Sequence, residues 1–287
     1  MSTPPQRLPG DRGHLSRLLD VWARDAEARV TSGRLRRLVG VMAIIPMLEG
    51  LKDEEGRERI AFKGGAALEL RFGFRARASN DLDGAYRGEV SEVIGLIDEG
   101  VRRGWSGFTG RTTEGEPILG TGLATPPVRF RVKLLYRDKD FVTVPMELSP
   151  EEGRSLDQVE VLPAAVSLAP VQLTEAESIP FLPIRYQVAQ KLHACTEDMG
   201  EEHPNQRAGD LADILLAVPG NTDAVAAFRT QVTRLWFKAL RRRSQRNRLN
   251  WERMNRIATR WLPPARVQHP FPNVRFDART RGRSPVR

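Results

Sequence analysis

The sequence predicts an α/β (α+β) protein, with helices and strands in one mixed architecture. Three observations carry this. Apolar residues recur at helical spacing in several segments, as in Leu15, Leu18, Leu19 and Trp22 or Val93, Ile94, Ile97 and Val101. Farther on, Val128, Phe130, Val132 and Leu134 alternate with Arg129, Arg131 and Lys133, the period-two pattern of a half-buried strand. Between them, residues 59–87 (RIAFKGGAALELRFGFRARASNDLDGAYR) read as a strand, a Gly-Gly turn, a short helix, a polar loop and a second strand. At 287 residues the chain is long enough for one large domain or two lobes.

Taken in order, residues 1–13 are rich in Pro and Gly and are expected to be disordered; they lack the apolar run of a signal peptide. A first helix reaches about Val30, and Leu35, Leu38, Val39, Met42 and Ile45 mark a second, disturbed near Pro46. KDEEGRER is an exposed turn. The strand Ile60–Phe62 leads into the Gly-Gly turn, and the next strand begins at Asp81. A helix covers Glu89–Arg103. RDKD turns the chain into a return strand, Phe141–Leu148, with Val142, Val144, Met146 and Leu148 on one face. Phe141, Thr143, Pro145 and Glu147 take the other. Residues 149–182, rich in Pro, read as a linker with at most one or two short strands.

Leu182–Asp198 is expected to be a helix burying Ile184, Val188, Leu192 and Cys195. QRAGDLADILLAV is helical from about Ala208, with Leu211, Ile214, Leu215 and Val218 inward. Two more amphipathic stretches follow, through Val225, Phe228, Val232, Leu235, Trp236 and Ala239, then Trp251, Met254, Ile257, Ala258 and Trp261. The expected organisation is a first lobe over 14–165, a helical basic lobe over 166–276 and a disordered basic tail over 277–287.

Cys195 is the single cysteine, so no intrachain disulfide framework is possible, which fits a reducing cytoplasm. The longest apolar stretch, Leu38–Leu48, contains Pro46 and is too short to span a bilayer, so no membrane association is expected. Residues 229–287 hold 17 Lys and Arg against 2 acids, leaving 28 basic and 34 acidic residues elsewhere. Charge is thus concentrated in the C-terminal part. Lys238, Arg241, Arg242, Arg243, Arg246 and Arg248 fall in a stretch without acids, which points to a phosphate backbone, RNA in particular.

The chemistry centres on Asp81 and Asp83. Two apart on a strand, their carboxylates share a face. Such a pair is costly unless a cation lies between them. Mg²⁺ takes one or two carboxylates together with phosphate oxygens, so the pair points to Mg²⁺ and a bound triphosphate. Gly64 and Gly65 suit a backbone approached closely by phosphate, with the following helix aiming its first amides at an anion; Lys63 and Arg77 add positive charge. Each piece has a bland counterpart: a Gly-Gly pair is usually a turn, an Asp-x-Asp a solvated edge, and a helical Lys such as Lys191 usually snorkels. Asp210 and Asp213, three apart on one helix face, read equally as caps. Glu147 is either a third acid on a neighbouring strand or a solvent-facing side chain.

In combination these pieces are specific. Lys63-Gly64-Gly65, Arg77, Ser79, Asp81 and Asp83 resemble the signature of the DNA polymerase β-like nucleotidyltransferase superfamily. With Lys191 and Arg207-Ala208-Gly209-Asp210-Leu211-Ala212-Asp213, the pattern is similar to the AbiEii-type toxins of type IV toxin–antitoxin systems, the MenT toxins among them. The match runs roughly over residues 58–218 and departs at Gly209, where the family often has Lys. The resemblance implies a bilobed protein: a polymerase β-like sheet plus a helical C-terminal lobe supplying Lys191 and an acid, Asp210 or Asp213. It implies catalysis by Asp81 and those residues, nucleotide contacts from Lys63, Gly64, Gly65, Arg77 and Ser79, and Mg²⁺ on Asp81, Asp83 and Glu147. The implied reaction adds a pyrimidine nucleotide, from CTP by preference, to the 3′ acceptor end of tRNA, blocking translation. A cognate antitoxin is implied too, in some relatives a kinase-like one, for which Ser79 is the expected target. The chain is expected to act as a monomer. Two alternatives stand beside this: a nucleotidyltransferase acting on a protein or small molecule, and an inactive RNA-binding module on the same fold. The basic charge opposes a cationic antibiotic, and intact Asp81, Asp83 and Lys191 oppose a dead site.

Overall fold

A computed structural model describes residues 7–24, 30–119, 125–152, 154–196 and 207–217. All of them belong to one compact unit, Met1–Phe228. The basic run from Lys238 to Arg248, the two amphipathic stretches around it, Val218 and the C-terminal tail lie outside the described residues. In chain order the elements are α1 (Arg12–Arg24), α2 (Ser32–Met47), β1 (Ile60–Lys63), α3 (Gly64–Phe72), β2 (Leu82–Tyr86), α4 (Val90–Arg103), β3 (Phe108–Thr112), β4 (Glu116–Pro117), β5 (Val128–Tyr136), β6 (Lys139–Pro150), β7 (Glu160–Leu162), β8 (Ile179–Phe181), α5 (Ile184–Thr196) and α6 (Ala208–Ala217). Among the described residues no helix is long and apolar enough to cross a membrane.

The strands form one mixed sheet in the order β3-β5-β6-β2-β1-β8-β7, with β4 paired to β5 beside β3. β2 runs parallel to β6 and β1 parallel to β8; the remaining pairs are antiparallel. The alternation read along β5 is reproduced, with Val128, Phe130, Val132, Leu134 and Tyr136 buried and Arg129, Arg131 and Lys133 exposed. The apolar face packs under α2 and α4, with α1 resting on α2. One continuous core runs from Leu15 and Leu19 through Val39, Ile97 and Val132 to Phe181. Burying each large apolar side chain contributes about 1.5–3 kcal/mol, so this face fixes which side of the sheet is left for chemistry.

Three expectations need correction. Phe141 faces the core, not the opposite side: a register shift between Leu134 and Leu135 rotates the start of β6, and Phe141 packs edge-on against Phe108 at 5.3 Å. Residues 149–182 are no linker. Val166, Leu168, Val171 and Leu173 enter the main core, and β8 pairs with β1. In α6, Leu215 is exposed while Asp210, Asp213, Ile214 and Ala217 are buried, so the helix turns its two acids inward.

Candidate active site

The site is built on the hand-over from β1 to α3. Gly64 takes φ +71°, and a Cβ there would fall 1.9 Å from an oxygen of Asp83. A Cβ on Gly65 would fall 2.7 Å from the Ser79 hydroxyl. The pair therefore serves two neighbours at once: no side chain fits between α3's first turn and the acidic loop. α3's first amides, lacking helical partners, open at this point.

Asp81, where the strand was expected to start, lies in the loop one residue before β2, and Asp83 lies on β2. The Ser79 hydroxyl donates to Asp81 Oδ1 at 2.9 Å, and Arg37 holds the Ser79 carbonyl at 2.9 Å. Asp83 sits in a row that crosses four adjacent strands: Lys63 opposes Asp83, Asp83 opposes Glu147, and Glu147 opposes Arg129. Burial first, then the neighbouring carboxylates Asp81 and Glu147, push Asp83 up to about 7, against the pull of Lys63 and Lys191. Burial likewise lowers Lys63, opposed by Asp83, Glu152 and Glu147. Lys63 Nζ donates to Ser149 Oγ at 2.7 Å.

Glu147 accepts from Arg129 Nε at 2.8 Å. Among the described residues no three His, Cys, Asp or Glu side chains gather as a metal-binding group. The site thus offers a carboxylate pair, Asp81 and Asp83, with Glu147 engaged by its cross-strand arginine. A pair of acids, one of them raised to about 7 by its burial first and by neighbouring carboxylates second, fits Mg²⁺, which completes its shell with substrate phosphates and water.

The opposite wall comes from α5 and α6. Lys191 Nζ donates to Asp210 Oδ1 at 2.7 Å and lies 2.9 Å from Asp213 Oδ2. Asp213 also receives Arg77, from Nε at 3.1 Å and Nη2 at 2.8 Å. Two cations and two acids thus interlock across the cleft. Gly209, where the resemblance leads one to expect Lys, lies against Arg77; a Cβ there would be 3.2 Å from its Nε. A cavity of about 430 Å³ joins the walls and is lined by Lys63, Gly64, Gly65, Arg77, Ser79, Asp81, Asp83, Lys191 and Asp210. Asn80, Gln187, Gln190 and Arg207 line it as well. Gln187 was missed by sequence reading; it precedes Lys191 by one helical turn, and that spacing was the available signal. Its amide nitrogen donates to the Leu182 carbonyl at 2.8 Å, anchoring the start of α5.

An acid pair beneath a glycine-led helix start, flanked by cations, is the arrangement of a nucleotidyltransferase. The family model for the nucleotidyl transferase AbiEii toxin of type IV toxin–antitoxin systems matches residues 47–281. The chain belongs to that family.

Among solved structures, the chain is similar to the MenT4 nucleotidyltransferase toxin of Mycobacterium tuberculosis H37Rv, at 20% identity and a TM-score of 0.47 over 70% of this chain. It spans 62% of the length of that toxin. An antigenic nucleotidyltransferase-like protein from Paracoccidioides brasiliensis is similar at 16% identity and a TM-score of 0.39, covering 71% of this chain and 92% of that one. ANT(2″)-Ia in complex with adenylyl-2″-tobramycin is similar at 15% identity and a TM-score of 0.35, covering 68% and 97%. No curated protein matches the chain.

Proposed function

We propose that this protein is a toxin that transfers a nucleoside monophosphate from an NTP, CTP by preference, to the 3′ acceptor end of tRNA. The observation that carries the reading is the opening of Asp81, Asp83, Lys63, Lys191 and the first turn of α3 into one cavity. In the transfer a bond forms between the acceptor 3′ oxygen and the α-phosphorus. The bond from the α-phosphorus to the α,β-bridging oxygen breaks, pyrophosphate departs, and the proton of the 3′ hydroxyl passes to solvent. Asp81 and Asp83 would hold Mg²⁺, with Glu147 beside them. Once bound there it would polarise the α-phosphate and neutralise the leaving pyrophosphate. The amides of Gly64 and Gly65 face the phosphates, Ser79 fixes the orientation of Asp81, and Lys191 meets the charge that develops on the departing group. Asp210 and Asp213 keep Lys191 in place, and Arg77 closes the cleft from the nucleotide side.

The acceptor assignment rests on the basic sequence from Lys238 to Arg248. The protein acts as a cytoplasmic monomer under a cognate antitoxin, with Ser79 as the target of a kinase-like one. Incubating the purified protein with Mg²⁺, each labelled NTP in turn and total tRNA tests the reading. Label in tRNA from a pyrimidine NTP is the expected result. Label appearing only on protein or a small molecule moves the acceptor, and RNA binding without transfer identifies an inactive module.

A further inference from the structure

The sheet face that carries Asp83 continues beyond the cavity, and there it is basic. Residues directly opposed across strands share a face, so Arg129 lies in the row of Asp83 and Glu147. Two residues along β5 stands Arg131, two further stands Lys133, and Arg111 of β3 opposes Lys133. All four are exposed. Arg129 is committed to Glu147. Among the described residues no acid pairs with Arg111, Arg131 or Lys133. Neither β3 nor β5 carries an acid; Glu116 of β4 faces Arg129 at the end of the stripe nearest the site. On β6, the residues opposite Arg131 and Lys133 are Pro145 and Thr143, which add no charge. The helices α2 and α4 lie on the other face, as Gly110 of β3 shows by meeting Val101 of α4 on the side away from Arg111.

A strand holds alternate side chains about 6.5–7 Å apart, so this is a fixed ladder of unneutralised cations ending at the acid pair. Unpaired cations on β3 and β5, strands that carry no exposed large apolar side chain, do not serve a hydrophobic partner; they match a polyanion. We infer that Arg111, Arg131 and Lys133 bind the phosphate backbone of the acceptor RNA just upstream of its 3′ end, guiding that end along the sheet to Asp83. This rests on the transfer reading for what happens at Asp83, while the binding itself does not. The stripe is also independent of the basic run from Lys238 to Arg248.

The test uses the full-length protein and the triple variant Arg111→Glu/Arg131→Glu/Lys133→Glu, with Arg111→Gln/Arg131→Gln/Lys133→Gln as a milder companion. Arg17→Glu/Arg24→Glu/Arg102→Glu, on α1 and α4, changes net charge equally away from the stripe. Urea unfolding confirms that all are folded. Fluorescein-labelled total tRNA and a short single-stranded RNA are titrated without NTP or metal, across a salt series. The expected result is RNA affinity reduced about tenfold or more in the stripe variants. The logarithmic salt slope should fall by about 2, since each lost contact to a single strand removes about 0.7. NTP affinity should be unchanged.

Unaltered RNA affinity and slope would overturn the inference, as would an equal loss in the α1 and α4 variant. So would retained RNA affinity with lost binding to the co-encoded antitoxin, which would make the stripe a protein-docking face. RNA bound through the stripe with no nucleotide added from any NTP would remove the transfer reading and leave the stripe. Transfer by the stripe variants at the wild-type KM for tRNA would do the reverse.

Discussion

Arg77 grips Asp213 through both Nε and Nη2, at 2.8 to 3.1 Å, and so ties the loop before β2 to α6. The same carboxylate lies 2.9 Å from Lys191 Nζ, and its side chain is only 2% exposed, against 12% for Asp210. The two acids that sequence reading left equivalent are therefore unequal. Asp213→Ala removes the charge-assisted hydrogen bonds from the half-exposed Arg77 and leaves Lys191 with Asp210 alone, a loss of about 1.5–3 kcal/mol. Asp210→Ala loosens Lys191 with less damage. Urea unfolding of the two variants should place Asp213→Ala clearly lower in stability. Equal midpoints would mean that the interlock does not hold the cleft together.

Asp83 titrates near neutrality, with a direct consequence for pH. Its folded pKa of about 7 lies above the value of 3.8 expected for a free side chain. For a raised acid, the ionised form is disfavoured by the fold. Metal-free stability from this group is therefore greatest at low pH and is lost as pH rises from about 4 through about 7. Mg²⁺ must displace the proton, so its affinity should fall by up to about tenfold per unit below pH 7. Calorimetric titration of Mg²⁺ between pH 5.5 and 8 reads this, with Asp83→Asn as control. A flat profile in the wild type contradicts the placement of Asp83.

Gly64 is a backbone position with little latitude. Gly64→Ala combines a disfavoured φ, a strain of about 1–3 kcal/mol, with a collision against Asp83. It should abolish Mg²⁺ binding and leave the core, measured by circular dichroism, in place. Mg²⁺ affinity within a factor of two of wild type would show that the first turn of α3 is more pliant than its geometry.

Ser79 is 6% exposed and bonded to Asp81, so a phosphate on its hydroxyl would place about −1.5 to −2 charges against the metal-binding pair. Intact mass and peptide mapping of toxin co-expressed with its neighbouring gene should find Ser79 modified and transfer lost. Silencing with Ser79 unmodified, or undiminished in Ser79→Ala, would place the switch elsewhere.

What could be read from the chain was what local spacing encodes. Gly64-Gly65, Asp81-x-Asp83, Lys191 and the Asp210–Asp213 spacing were all in sequence, and the alternation of β5 was reproduced residue for residue. What could not be read depends on distant partners. The pairing of Glu147 with its cross-strand Arg129, and of Arg77, which lines the cavity, with Asp213 of α6, is written in no local spacing. β8 has three residues, too short for a period to show, and only its pairing with β1 makes it part of the sheet. Phe141 was assigned to the wrong face because a single register shift reverses the side to which every preceding residue points. In α6, apolar count favoured Leu215 as core, yet the helix is turned by its ionic contacts to Arg77 and Lys191.

The most direct measurement is the mass of the 3′-terminal fragment of tRNA after incubation with Mg²⁺ and an equimolar mixture of NTPs. Wild-type protein should lengthen that fragment by a nucleoside monophosphate, a pyrimidine, and release pyrophosphate. Folded Asp81→Ala protein should leave it unchanged. An unmodified fragment with wild-type protein, or a lengthened one with Asp81→Ala, contradicts nucleotide transfer at the Asp81–Asp83 pair.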